Sequence, residues 1–129
     1  MDGTDAAVRL VRHDGWAEVV LNRPERRNAI DGTLAQDLQA ALDAVREDAS
    51  LRAVVLRGAG GSFCSGLDLK AFGATPRPDW VADFPARWRR MHATLASLDA
   101  VLLVALERHA INGGAALAIA GDLAVCGDD

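Results

Sequence analysis

Apolar residues along this chain follow strand and helix periods in turn. Val8 to Arg12 and Trp16 to Leu21 are β-rich runs on either side of Asp14-Gly15, and Asp-Gly between two such runs predicts a hairpin. From about Asp31 the apolar residues recur at spacings of three and four, which predicts a helix ending near Asp48 to Ser50. Its periodic positions are Leu34, Leu38, Ala41, Leu42 and Val45. Asp31 and Thr33 are the candidate caps.

The second half of the chain repeats this alternation. Ala53 to Leu56 and Val101 to Leu106 are short apolar runs that predict buried parallel strands. A helical pattern from about Phe84 to Leu98 lies between them, with Trp88, Met91, Leu95 and Leu98 on one face. A small-residue helix, Ala115 to Ala120, and a strand, Leu123 to Cys126, complete the predicted order. Strands alternating with helices after a hairpin predict an α/β fold with crossover connections.

Composition narrows the class of protein. Apolar residues make up 50% of the 129 and charged residues 25%, which is typical of a soluble globular chain. The net charge of −4, without a basic stripe, argues against nucleic-acid binding. The acidic N-terminus is no secretory signal, and the uncharged run 110–121 is too short to span a membrane. Two isolated cysteines indicate a cytoplasmic protein without a disulfide framework or a metal cluster.

Two glycine-containing loops each lie between a predicted strand and a predicted helix. In the first, Gly58 to Lys70, Gly66 permits a backbone geometry that turns the next amide into a cleft. The simpler interpretation is a strand-to-helix connection capped by Asp68. In the second, Ala110 to Ala115, free amides at a helix N-terminus can stabilise negative charge, although tight packing explains its small residues equally well. Neither loop has the phosphate-binding GxxxxGK[ST] or GxGxxG pattern.

Three segments in order resemble one enzyme family. These are LNRPERRNAID at 21–31, RAVVLRG through FCSGLDLK within 52–70, and INGG through LAIAGDL within 111–123. Together they resemble the crotonase (enoyl-CoA hydratase/isomerase) family. The resemblance implies an α/β spiral of β-β-α units, incomplete in this chain, with residues 1–129 as the N-terminal part of a single crotonase-like domain. It also implies assembly as homo-trimers or hexamers when the fold is complete.

The same resemblance implies the chemistry. An acyl-CoA thioester would bind with its carbonyl oxygen held by the backbone N–H groups of Leu67 and Gly113, which would stabilise an enolate. Coenzyme A would enter as part of the substrate, and no bound cofactor is expected. Residues expected to bind the substrate are Arg27, Ala29, Ser65, Gly66, Asp68, Leu69, Lys70 and Gly114. Solvated surface charge explains Arg27 and Lys70 equally well.

The chain also departs from the family. Ala116 stands where the family's hydratases have the first of two glutamates, and the second would lie beyond Asp129. Hydration is therefore poorly supported, whereas a lyase or isomerase whose base lies outside this chain fits. The alternatives are a non-catalytic acyl-CoA-binding subunit and an inactive partial chain.

Several other side chains have simpler interpretations than a place in the site. Glu107 and His109 are expected to form an exposed polar strand end, and Cys64 to be a packed small residue rather than a nucleophile. Trp88 and Met91 are expected in the core first, with acyl selection as a hypothesis.

Overall fold

One five-stranded sheet organises residues 6–127, the part of the chain that the computed structural model describes. Its strands lie side by side in sequence order, with β1 antiparallel to β2 and every later pair parallel. The strands are β1 (Val8–Arg12), β2 (Trp16–Leu21), β3 (Ala53–Gly58), β4 (Val101–Leu106) and β5 (Leu123–Cys126). The predicted α/β class and hairpin are confirmed, and β3 extends two residues beyond the predicted run.

Four α-helices connect the parallel strands of the described residues. They are α1 (Gly32–Glu47), α2 (Leu69–Phe72), α3 (Trp80–Ala96) and α4 (Gly113–Ile119). The Asp31 carboxylate accepts a hydrogen bond of 2.8 Å from the Leu34 amide, so Asp31 rather than Thr33 caps α1. All five predicted apolar positions of α1 are buried. Among residues 6–127, no helix is both long and apolar enough to cross a bilayer.

Helix α3 corrects one predicted boundary. The pattern predicted a start near Phe84, but the helix begins at Trp80 and includes Pro85. The predicted start came from the spacing of the apolar residues from Trp88 onward, and Pro85 costs the second turn of α3 one backbone hydrogen bond. The first turn is held by ring contacts, because Trp80 packs edge-on against both Phe72 and Phe84, at 5.9 and 5.7 Å between centroids.

The hydrophobic core lies between the sheet and helices α1 and α3. Leu38 and Leu42 of α1 and Val54 and Leu56 of β3 are fully buried within it. Met91 of α3 is also buried, as predicted. At the far edge, Leu123 and Val125 of β5 are more than half exposed. Because β3 and β4 are parallel neighbours, the loops that follow them leave the sheet at the same edge.

Candidate functional site

The loops after β3 and β4 lie side by side. We call residues 59–68 the first loop and residues 107–112 the second loop. The amides of Phe63 and Cys64 donate to the carbonyl oxygens of Glu107 and His109, both at 2.8 Å, and the Ile111 amide donates to the Cys64 carbonyl at 3.1 Å. These bonds extend the parallel pairing of β3 and β4 beyond the ends of the strands.

A third segment, 27–30, pairs with the other side of the first loop. The Ile30 amide donates to the Gly66 carbonyl, and the Asp68 amide donates to the Ile30 carbonyl, both at 2.8 Å. The Ser65 amide donates to the Arg27 carbonyl at 3.0 Å. The first loop is therefore the middle strand of a small three-segment layer.

Two glycines let this layer close on the second loop. Gly66 has φ +92°, and a Cβ there would lie 2.6 Å from the carbonyl oxygen of Ile111. Gly114 packs directly on the Cys64 carbonyl. A larger residue at either position would push the two loops apart, because the atoms it would meet belong to the backbone.

Two backbone donors remain free at this junction. Among residues 6–127, neither the Leu67 N–H nor the Gly113 N–H has a hydrogen-bond acceptor. Asp68 N–H points toward Ile30, and successive amides of an extended segment point to opposite sides, so the Leu67 N–H faces away from Ile30. Gly113 is the first residue of α4, where a helix leaves its amides without internal partners. Gly66 and Asn112 are in contact across the junction. Leu67 directly follows Gly66, and Gly113 directly follows Asn112.

An ion-pair cluster holds the Leu67 end of the site. The Arg23 guanidinium contacts the carboxylates of Asp68 and Asp31 at 3.2 and 3.5 Å, and these two aspartates cap α2 and α1. Partial burial tends to raise the pKa of Asp68. The Ala71 amide and the Arg23 guanidinium outweigh that effect, so the pKa lies below its ordinary value. The Asp68 cap foreseen as the simpler interpretation is confirmed.

Asn28 is a structural residue of the site that sequence reasoning missed. Its side chain is completely buried, accepts from the Arg23 amide at 2.8 Å, and donates to the carbonyls of Ala59 and Ser62 at 3.0 and 2.8 Å. It therefore ties the base of the first loop to segment 27–30. Asn28 lies in the first family-like segment, 21–31, but nothing in the sequence distinguishes it from the other polar residues there.

The remaining predicted binding residues fall into two groups. Ser65, Gly66 and Gly114 lie at the junction of the loops, and the Gly114 amide is already bonded to the Ile111 carbonyl at 2.8 Å. Outside the junction, Ala29 is buried, whereas Arg27, Leu69 and Lys70 are exposed. Their binding roles stay predictions.

The structure confirms the expectations for Cys64 and Glu107 but not the one for His109. Cys64 is buried as expected, and that burial raises the pKa of its thiol. Glu107 is exposed, but the expectation of exposure is wrong for His109, which is half-buried and bonds Ser62 Oγ through Nδ1 at 2.9 Å. The reason is that the second loop runs alongside the first, which brings the His109 imidazole to Ser62. Ala116 is half-buried on α4.

Trp88 lies beside the candidate donor at Gly113. A Cβ at Gly113 would lie 3.4 Å from Trp88 Cζ2 and 3.2 Å from Ile30 Cδ1. The periodic pattern placed Trp88 in the core with Met91; Met91 is buried, and Trp88 is half-buried and packs against the core. Residues 6–127 contain no group of three or more His, Cys, Asp or Glu side chains that could hold a metal ion.

Comparison with known proteins assigns the family. The family model described as enoyl-CoA hydratase/isomerase matches residues 12–129. The chain, an α/β sheet with two adjoining loops at its carboxyl edge, therefore belongs to the enoyl-CoA hydratase/isomerase, or crotonase, family.

Individual proteins similar to this chain support the family assignment. The chain is 36% identical over 124 residues to carnitinyl-CoA dehydratase of Proteus mirabilis, covering 95% of this chain and 46% of that one. It is 32% identical over 128 residues to 4-chlorobenzoyl coenzyme A dehalogenase-1 of an Arthrobacter species, covering 97% and 46%. The crystal structure of an enoyl-CoA hydratase/isomerase from Xanthobacter autotrophicus Py2 superposes with a TM-score of 0.83 at 32% identity, covering 93% and 45%. The chain therefore spans about half the length of these relatives.

Proposed function

We propose that this protein binds an acyl-CoA thioester and polarises its carbonyl with two backbone amides, Leu67 N–H and Gly113 N–H. The observation that carries this proposal is the pair of unbonded donors at the junction of the two loops. The names of the Proteus and Arthrobacter relatives describe enzymes that act on CoA thioesters, which supports the same substrate class here.

The chemistry follows from the charge that such donors stabilise. When a proton leaves the carbon next to a thioester carbonyl, negative charge moves onto the carbonyl oxygen. Two preorganised amide donors stabilise that oxyanion, and loss of one such donor typically slows catalysis by about 10²–10³. The donors are backbone groups held by the loop contacts, so the site needs little reorganisation.

A lyase or isomerase reaction fits the side chains better than hydration. No carboxylate is present in residues 110–121, and Ala116 stands where the resemblance to the family's hydratases implies a glutamate. Asp68 is committed to its cap and to Arg23, and His109 to Ser62. We therefore propose that the proton is transferred by a group other than Asp68, His109 and residues 110–121. A second candidate function, binding of acyl-CoA without turnover, is favoured by Ala116.

Isotope-edited infrared spectroscopy tests the pair of donors. An acyl-CoA labelled with ¹³C at its carbonyl is expected to show a lower carbonyl stretching frequency when bound than when free. Replacing the Gly113 peptide N–H by an ester oxygen should remove a large part of that shift. The matched control is the same replacement at Ala116, which deletes a structural hydrogen bond to the Asn112 carbonyl but neither proposed donor.

The outcomes separate the candidates. An unchanged carbonyl shift in the Gly113 ester would show that this amide does not contact the substrate. The unmodified protein gives the second test. If the bound carbonyl shows the lowered stretching frequency but no product is released and the α-proton does not exchange, the binding function is favoured over an enzyme.

A further inference from the structure

The side chain of Arg23 contacts both peptide segments that position the Leu67 N–H. Its Nη1 donates to the Ala29 carbonyl, and its Nη2 contacts the Asp68 carboxylate at 3.2 Å. Ile30 pairs with Leu67 as an isolated bridge between the two segments. Ala29 directly precedes the first residue of that pair, and Asp68 directly follows the second. One guanidinium therefore holds both segments immediately beside the pairing.

The backbone of Arg23 is itself anchored. Its amide donates to Asn28 Oδ1 at 2.8 Å, and its carbonyl accepts from the amides of Asn28 and Arg26, both at 2.9 Å. The Asn28 side chain is completely buried. The guanidinium thus extends from a fixed point of the chain, so its contact with Asp68 restricts where the end of the first loop can lie.

The ion pair of Arg23 with Asp68 is largely shielded from water. The two side chains are 17% and 11% exposed, whereas Arg12, which pairs with Asp48 at the C-terminal end of α1, is 48% exposed. Exposed ion pairs hold their partners weakly, because solvent screens the charges and long side chains lose conformational freedom. A pair that is mostly removed from water keeps more of its attraction and therefore more of its geometry.

We infer that Arg23 is a positioning residue for the bound thioester carbonyl, because it fixes the peptide that carries the Leu67 N–H. The inference rests on the proposed function, since the position of that donor matters only if a carbonyl oxygen is bound there. The planar guanidinium can bond two acceptors at once, whereas a lysine ammonium is a compact point charge. Lysine at position 23 would keep the charge but not both contacts. A displacement of about 1 Å in a site can cost about 10²-fold in rate, so losing one contact is sufficient to weaken the donor.

Infrared spectroscopy of the full chain with acetyl-CoA labelled with ¹³C at its carbonyl tests this role. Only bound ligand shows the lowered stretching frequency, so a loss of stability that leaves part of the protein unfolded does not change the frequency itself. Arg23→Lys should lose roughly half of the lowering seen in the unmodified protein, the share of one of two donors. Arg12→Lys is the matched control and should keep all of it, because the same change is made in an ion pair at the far end of α1.

The results distinguish the inference from the proposed function. An unchanged lowering in Arg23→Lys, or an equal loss in Arg12→Lys, would overturn the role of Arg23 and leave thioester polarisation in place. If acetyl-CoA does not bind the unmodified protein, or binds with the frequency of the free ligand, the proposed function is overturned as well.

A second variant covers the case in which Arg23→Lys does not fold by circular dichroism. Asp68→Asn can still cap α2, because asparagine is also a good capping residue, but it loses the charge that holds the guanidinium. Its lowering of the carbonyl frequency should again be smaller than in the unmodified protein. An equal lowering in Asp68→Asn would overturn the inference.

Discussion

The carbonyl oxygen of Cys64 lies directly over the α-carbon of Gly114, where a Cβ would be only 2.3 Å from that oxygen. The contact joins the first loop to the start of α4, so it sets the distance between the peptide segments that carry Leu67 N–H and Gly113 N–H. Neither partner can move aside easily, because Cys64 is completely buried and its amide and carbonyl are both bonded to the second loop.

Gly114→Ala is therefore expected to lower the free energy of unfolding by about 1–3 kcal/mol, the usual cost of overpacking a closed contact. It should also weaken binding of acyl-CoA, since the loops must separate. Urea unfolding and ligand titration check both effects. Gly73→Ala is the control, because its nearest neighbour is the Leu69 carbonyl oxygen at 3.2 Å and the change should stay within about 0.5 kcal/mol. Equal effects at both positions would contradict the prediction.

The Asp68 carboxylate is expected to make stability depend on pH in the acid range. Its pKa is lower in the folded protein than the ordinary value of about 3.9 that it has when unfolded. Its contribution is therefore complete above about pH 4 and is lost as the pH falls through the lower folded pKa. The free energy of unfolding of Asp68→Asn should fall furthest below that of the unmodified protein near pH 7, and the gap should narrow toward pH 3.

Urea titrations between pH 7 and pH 3 give this comparison. Asp79→Asn is the control, because the exposed Asp79 makes no side-chain cap bond at the start of α3. A constant gap between Asp68→Asn and the unmodified protein across the whole range would contradict the assigned role of Asp68.

His92 is expected to make the free energy of unfolding depend on pH in the mildly acidic range. Burial lowers the pKa of its imidazole, and its Nε2 is buried without a partner among the described residues. In the unfolded chain the pKa is about 6.5, so protonation there pulls the equilibrium toward unfolding as the pH falls below that value. The unmodified protein should therefore lose stability between about pH 7 and pH 5. His92→Gln should reduce that slope, and an identical slope in both proteins would refute the prediction.

The two cysteines are expected to differ sharply in reactivity. Cys126 is exposed, whereas Cys64 is buried and its thiol has a raised pKa, which reduces the reactive thiolate. A chromogenic disulfide reagent should modify one thiol per native chain quickly and the second only after unfolding. Cys126→Ser should abolish the fast phase, and Cys64→Ser should leave it intact. A fast phase that survives Cys126→Ser would mean that the first loop opens.

Local patterns were sufficient for most of the fold. β1, β2, β4 and β5 have the predicted bounds, and Asp31 caps α1 as one of two candidates. These elements follow from alternation, helical spacing and capping, which are properties of neighbouring residues. The start of α3 was predicted too late because the periodic pattern began only near Phe84, whereas the ring contacts that hold Trp80 come from Phe72 and Phe84.

The candidate site was predicted as a set of positions rather than as a geometry. Resemblance to the family singled out Leu67 and Gly113, and the structure leaves both amides unbonded within residues 6–127. The bonds of Asn28 to Ala59 and Ser62, 31 and 34 residues away, carried no sequence pattern. The same is true of the pairing of His109 with Ser62, 47 residues apart.

By itself, the sequence determined the order and type of the elements, the glycines at 66 and 114, and the absence of a carboxylate at position 116. These are local choices of residue, and each restricts the backbone or the chemistry where it stands. Only the tertiary structure decided which segments meet, which amides keep a free hydrogen, and that Trp88 lies beside Gly113. Those features depend on how β3 and β4 pair and on how α3 packs across the loops, so no short stretch of the chain specifies them.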